Sequence, residues 1–324
     1  MLVDNFGRSF KYLRLSLTEK CNFRCSYCLP NGYSSCHREA PLNIHEIENL
    51  ASAFANLGVE KIRLTGGEPT LRSDVAEIIS MLKSIHGIET VALTTNGYRL
   101  PKILNQLSDS GLDALNVSLD SLDPKTFQAI SGFDYCESIK NSVDRSLALG
   151  LKKIKVNAVL LKDINSEELF NFIRWIQTRP LSVRFIELMR TSDNADYFKK
   201  HYLPVSYLQN QMTEMGWSMV NRDELSGPAN EYSHSEYAGR IGFISAYSKD
   251  FCASCNRLRI SANGGLRLCL FGDGNMNLRP LLQRVSQQEL LLEKICQTLK
   301  LKPLSHNLHN GYSGDMASLS AIGG

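Results

Sequence analysis

The sequence predicts an α/β protein, an incomplete (βα)6 barrel of TIM type continued by a C-terminal α+β extension. Three observations carry that expectation. Six β-rich runs alternate with helical stretches up to about residue 190. Several of those runs place polar residues at every second position. The alternation then stops, and residues 221–240, NRDELSGPANEYSHSEYAGR, form a polar, turn-rich stretch.

Strands are expected at 10–17, 59–65, 89–95, 113–119, 153–160 and 182–188, with helices at 44–57, 74–85, 101–109, 137–149 and 165–178. Six such units imply a parallel sheet with crossover helices on its outer face, three-quarters of an eight-unit barrel. Strands buried on both faces usually read as continuous apolar runs. These do not. Tyr12, Arg14, Ser16 and Thr18 share one face of the first strand, and Lys61, Arg63 and Thr65 one face of the second. Asn116, Ser118 and Asp120, then Lys153, Lys155 and Asn157, repeat the pattern. Helices cover the outside of such a sheet, so these rows are expected to line an open lumen. Arg14, Arg63, Lys155 and Arg184 would make it cationic, which suits a polyanion such as a nucleoside triphosphate. Beyond 240 the pattern predicts short strands, a cysteine-bearing loop and a helix at 280–299. The expected division is 1–225 for the partial barrel and 226–324 for the extension.

Composition bounds the function. The 324 residues are 43% hydrophobic and 21% charged, an ordinary globular balance with room for a barrel and an appendix. No run of about 18 apolar residues occurs, so no membrane span is expected. The opening segment MLVDNFGRSF has no cationic leader followed by an apolar run, and a cytoplasmic location is expected. A net charge of +3 without a basic tract argues against a general nucleic-acid binder.

Nine cysteines remain to be explained. Cys36, Cys136 and Cys296 are scattered and read as ordinary thiols. The other six form two triads: Cys21, Cys25 and Cys28 in CNFRCSYC, then Cys252, Cys255 and Cys269. Thiolates select zinc, copper(I) or iron–sulfur clusters. Four cysteines would saturate a 4Fe–4S cube, whereas three leave one iron open to an exchangeable molecule. A structural zinc site would need a fourth ligand, with His37 the candidate at the first triad and His234 at the second. The first triad follows the first strand, at the C-terminal mouth where active sites of such barrels lie. TGGEP at 65–69, TTNG at 94–97 and SLD at 118–120 fall at the same mouth. Glycine there allows a backbone to come close to a ligand.

C-x3-C-x2-C followed by GGEP resembles the radical S-adenosylmethionine enzymes. That resemblance implies a 4Fe–4S cluster on Cys21, Cys25 and Cys28, with S-adenosylmethionine chelated at its open iron and cleaved by one electron to a 5′-deoxyadenosyl radical. It assigns cofactor contacts to Tyr27, Gly66, Gly67, Glu68, Ser118 and Met189. The C-terminal CASCNRLR, a third cysteine after 13 intervening residues and the final Gly-Gly narrow the resemblance to the GTP 3′,8-cyclase family, across essentially the whole chain. This implies a second 4Fe–4S cluster on Cys252, Cys255 and Cys269, carried by the extension. It implies GTP contacts at Arg14, Lys61, Arg63, Thr94, Lys155 and Arg184, with Arg257, Leu258 and Arg259 beside the second cluster. Catalytic roles pass to Arg14, Gly323 and Gly324. The implied reaction is hydrogen abstraction from ribose C3′, attack on purine C8 and reduction to 3′,8-cyclo-7,8-dihydro-GTP, the first step of molybdenum cofactor biosynthesis. Implied partners are a flavodoxin-type electron donor and a cyclic pyranopterin synthase that takes the product, with a homodimer as one oligomeric option. Two positions depart from the family pattern: Arg190 stands after Met189 where proline is expected, and Glu19-Lys20 precede Cys21 where aspartate is common. The competing readings are another two-cluster radical enzyme, or a non-catalytic iron–sulfur or zinc protein.

Overall fold

A computed structural model describes residues 1–34, 39–221, 227–315 and 319–321 of the chain. The six expected strands all form: β1 (Tyr12–Ser16), β2 (Lys61–Thr65), β3 (Thr90–Thr95), β4 (Ala114–Ser118), β5 (Lys153–Leu160) and β6 (Ser182–Glu187). Each pairs in parallel with the next. The crossovers are α1 (Ile44–Asn56), α2 (Val75–Ser84), α3 (Leu100–Asp109), the pair α4 (Pro124–Ser131) and α5 (Cys136–Ala148), and α6 (Leu169–Trp175). Then come α7 (Ala195–His201) and α8 (Ser206–Glu214).

The helix α4 was not expected, although its signals are local. Asp123 accepts a hydrogen bond from Thr126 N, Pro124 fills the first turn, and Gly132 ends the helix at φ +80°. At eight residues it is too short for a clear period, and it hides before α5. The expected helix at 165–178 shortens to Leu169–Trp175 because Asn165 belongs to the preceding loop. Its side chain bonds Leu161 N, Asp120 O and Val159 O, tying the ends of β4 and β5 together.

The extension is not an appendage. After β7 (Ser218–Met219), its strands are β8 (Asn230–Ser233), β9 (Arg240–Ile244), β10 (Arg257–Ile260), β11 (Gly265–Arg267) and β12 (Met276–Asn277). All twelve strands form one sheet in the order β12-β11-β10-β1-β2-β3-β4-β5-β6-β9-β8-β7. The later part of the chain thus adds a parallel strand to each edge of the partial barrel, β10 beside β1 and β9 beside β6. The expected boundary at 225 lies outside the described residues. Instead of a helix at 280–299, two single 3-10 turns at 279–281 and 285–287 precede α9 (Gln288–Leu299).

Strand alternation divides the sheet into two faces. Leu13, Leu15, Ile62, Leu64, Val91, Leu93, Leu115, Val117, Val156, Val183 and Phe185 join the main apolar core with Ile47, Leu50 and Phe54 of α1. The intervening polar residues face inward. Asn43 and Glu46 form a capping box at the start of α1, and Glu46 also accepts from Arg279 Nε at 2.9 Å. One carboxylate therefore caps a barrel helix and anchors the extension. In the core, Phe185 lies 5.4 Å from Phe172 and 6.1 Å from Phe243, centroid to centroid. Phe185→Ala should cost about 3–5 kcal/mol of stability, read as a lower urea midpoint. A loss below about 1 kcal/mol would show that this packing is dispensable.

Candidate functional site

Register puts the polar faces in rows. Tyr12 lies beside Lys61 and Arg257, and Arg14 beside Arg63 and Arg259. Asn116 lies between Thr94 and Lys155, and Asn157 between Ser118 and Arg184. All of these residues line one cavity, which also receives all six triad cysteines. Among the row residues expected at the lumen, Lys153 is instead exposed at the start of β5, and Ser16 and Thr18 are buried without lining the cavity.

Seven cationic strand side chains meet here: Arg14, Lys61, Arg63, Lys155, Arg184, Arg257 and Arg259. Among the described residues, only Asp120 and Glu187 bring carboxylates to the lining, and Glu187 already accepts from Val205 N and Tyr247 N. Burial, then Arg184 and Arg63, bring the Lys155 ammonium down to about 7. Burial and Arg257 bring Arg259 down to about 10. Two groups offset the charge. Tyr12 accepts from Arg63 Nε at 2.5 Å under the Lys61 ammonium, which sits 4.9 Å from its ring centroid. Burial alone would raise this phenol, but Arg63, Arg14 and Lys61 overcome it and bring it to about 7. Glu231 on β8 accepts from Arg184 Nη2 at 2.6 Å.

The first triad occupies the loop after β1. Cys28 N and Leu29 N both bond Cys25 O, Arg24 N and Ser26 N bond the end of α4, and Phe23 stacks on Phe133 at 5.2 Å. The glycines of TGGEP serve this loop. Gly67 N bonds Thr18 O and Glu68 N bonds Lys20 O. A Cβ on Gly66 would lie 2.2 Å from Thr18 O, and one on Gly67 2.4 Å from Lys20 O. The two backbones are stacked too closely for any side chain. Gly66, Gly67, Tyr27, Ser118 and Met189 line the cavity, whereas Glu68 does not. Glu68 is fully buried behind the wall, accepting from Thr70 N, Thr95 Oγ1 and Asn96 N. Tyr27 donates to Asp120 at 3.0 Å, and Asn194 Nδ2 bonds both Tyr27 O and Met189 O. Burial pushes all three thiols up, Cys28 to about 12.

The second triad brackets β10 and β11. Arg8, paired with Asp4 at 2.7 Å, donates to Cys252 O, Leu304 O and Pro303 O, and so fastens the cysteine loop to the chain's last segment. Burial raises the Cys252 thiol, but hydrogen bonds from His306 and Ser305 outweigh it and bring it to about 7. Arg257 and Lys302 lower Cys255 against its burial, while burial raises Cys269. Arg257 and Arg259 line the cavity; Leu258, between them, points into the apolar core. Lys302 and His306 also line it. Sequence reasoning missed both, since the segment KPLSH has no period or motif. Leu319 and Ser320 reach the cavity and give backbone hydrogen bonds to Cys28. Gly323, Gly324, Cys36 and His37 lie outside the described residues. Cys136 is buried in the core.

His234 stacks 5.6 Å from Trp217 and does not line the cavity, so it completes no site with the second triad. Among the described residues, no three His, Cys, Asp or Glu converge to hold a single metal ion. A cubane cluster asks for something different: three thiolates spread around separate irons. The three cavity-lining thiols of each triad are donors of the kind such a cluster takes.

Residues 15–176 match the Radical SAM superfamily and residues 181–308 match Molybdenum Cofactor Synthesis C. The GTP 3′,8-cyclase of Shewanella denitrificans is 48% identical over 323 residues, covering 100% of this chain and 96% of that protein. Those of Synechococcus elongatus and Stenotrophomonas maltophilia are 49% and 51% identical, each over 100% of this chain and 99% of its relative. Among solved structures, Streptococcus suis SuiB bound to S-adenosylmethionine superposes with a TM-score of 0.63 at 15% identity. That match covers 90% of this chain and 68% of SuiB, a likeness of fold.

The two triads should differ chemically when metal is stripped away. Thiolate is the nucleophile, so in reduced, metal-free protein at neutral pH iodoacetamide should label Cys252 before any of Cys21, Cys25 and Cys28. Lowering the pH through about 7 should slow Cys252 as its thiolate takes a proton. Peptide mass spectrometry reads the order, and uniform labelling would contradict it.

Proposed function

The chain belongs to the GTP 3′,8-cyclase family of the radical S-adenosylmethionine superfamily, and on that premise we propose that it converts GTP to 3′,8-cyclo-7,8-dihydro-GTP, opening molybdenum cofactor biosynthesis. The observation that carries the reading is one cavity in which two cysteine triads face a cation-lined wall. Family membership brings S-adenosylmethionine and one 4Fe–4S cluster. The fit of three half-buried thiols to that cluster is chemical: desolvation keeps them protonated when alone, and a metal that displaces the protons makes the thiolate set. The second cluster, on Cys252, Cys255 and Cys269, is our proposal. When bound, the first cluster and S-adenosylmethionine supply the radical that takes the hydrogen from the substrate.

The chain's own residues bind and orient. Tyr27, Ser118, Met189 and the Gly66-Gly67 backbone border the proposed cofactor site, with Glu68 bracing it from behind. Arg14, Lys61, Arg63, Thr94, Lys155 and Arg184 form the proposed triphosphate wall. Arginine and lysine there meet phosphate through charge-assisted hydrogen bonds. The phosphates raise the depressed Lys155 ammonium back to full charge, and they allow Tyr12 to take up a proton. Arg257 and Arg259 border the guanine end, with Leu258 packed behind them. We propose that Gly323 and Gly324 close the site, an extension of the segment whose Leu319 and Ser320 border it. A flavodoxin-type donor and a cyclic pyranopterin synthase are the proposed partners. Among the described residues no helix is long and apolar enough to cross a membrane.

Anaerobic reconstitution, then incubation with GTP and S-adenosylmethionine and mass analysis, tests the proposal. Cys25→Ser should abolish S-adenosylmethionine cleavage. Cys255→Ser should retain some uncoupled cleavage yet make no cyclised nucleotide. Full cyclisation by either variant would remove that triad from the catalytic site.

A further inference from the structure

Asn116 is an anomaly within the lumen. The residue is 6% exposed, and its amide oxygen has no hydrogen-bond partner. Burying an unpaired amide oxygen costs free energy, so such a group in a cavity wall marks a ligand contact. Asn116 lines the cavity on β4. Its register neighbours are Thr94 and Lys155, both on the proposed triphosphate wall. The surrounding strand cations can only donate hydrogen bonds. They match phosphate, not a hydroxyl proton. The amide oxygen needs a donor, and a guanosine nucleotide offers few: the guanine N–H groups and the two ribose hydroxyls. Guanine is assigned to the β10 wall, and β1, β2 and β3 separate β10 from β4 in the sheet. The sugar hydroxyls are then the donors nearest Asn116.

We propose that Asn116 accepts a hydrogen bond from a ribose hydroxyl of the nucleotide and makes the site select ribonucleotides over deoxyribonucleotides. S-adenosylmethionine also carries a ribose, and the amide oxygen of Asn157 is unpaired too. Asn157 lies between Ser118, on the proposed S-adenosylmethionine side, and Arg184, whereas both register neighbours of Asn116, Thr94 and Lys155, belong to the phosphate wall. Asn116 therefore serves the substrate sugar. The inference rests on the cyclase reading, and its test separates the two.

Equilibrium dialysis of reconstituted protein with GTP, 2′-deoxyGTP and 3′-deoxyGTP should show GTP binding about tenfold tighter than at least one deoxynucleotide, the scale of one well-formed hydrogen bond. Asn116→Ala, and Asn116→Val as a second replacement suited to a strand, should bring that preference to within about twofold. Asn116→Asp keeps an acceptor at the same place and should keep the preference. Affinity for S-adenosylmethionine should be unchanged in all three. Equal binding of GTP and both deoxynucleotides by the wild type would overturn the inference. So would a preference that survives in Asn116→Ala or Asn116→Val, or a loss confined to S-adenosylmethionine. A wild-type protein that binds no GTP would sink the cyclase reading, and this inference with it.

Discussion

Repulsion among buried cations is the constraint around which this molecule is organised. Arg259, Arg14 and Arg63 occupy neighbouring register positions on three adjacent strands. Like charges side by side on a sheet are destabilising, and burial adds to the cost. Isolated from its context such a sheet would not hold. Here the outer face carries the stability, through Leu, Ile and Val side chains packed under the helices. Tyr12 and Glu231 take up part of the charge. What remains uncompensated is a cavity electrostatically shaped for a polyanion.

The extension completes that cavity from both edges of the sheet. At one edge, β9 sets Gly242 beside Arg184, where a Cβ would come within 3.2 Å of the arginine side chain, and β8 delivers Glu231. At the other edge, β10 delivers Arg257 and Arg259 together with the second cysteine loop. Arg279 on Glu46 and Arg8 on Cys252 O fasten this edge to the barrel. One edge therefore tempers the cations, and the other adds cations and thiols.

The strands of the barrel were legible because their signal is local: a period of two with polar residues on one face. The cysteine triads were legible as spacings. Harder to read were features set by partners distant in sequence. Glu231 pairs with Arg184 across 47 positions, and its stretch reads only as a polar loop. Lys302 and His306 reach the second triad because Arg8 holds their segment there. The role of TGGEP was half legible. Its glycines suggested close approach to a ligand, yet their lost side chains make room for the cysteine loop's own backbone. Leu258 shows the limit of carrying roles over as a run: strand alternation turns it away from the lumen between two residues that face it.

A lumen of this charge calls for a polyanion to complete it. Calorimetric titration of the reconstituted protein with GTP and with guanosine, across neutral to alkaline pH, tests it directly. Lys155 is brought to about 7 in the empty cavity, and bound phosphate raises it. Tyr12, also at about 7, must take a proton before phosphate can sit beside it. GTP binding should therefore take up protons, and its affinity should fall as pH climbs above about 7. Guanosine should bind far more weakly and with little pH dependence. Equal affinity for the two ligands, unchanged across that range, would contradict the account.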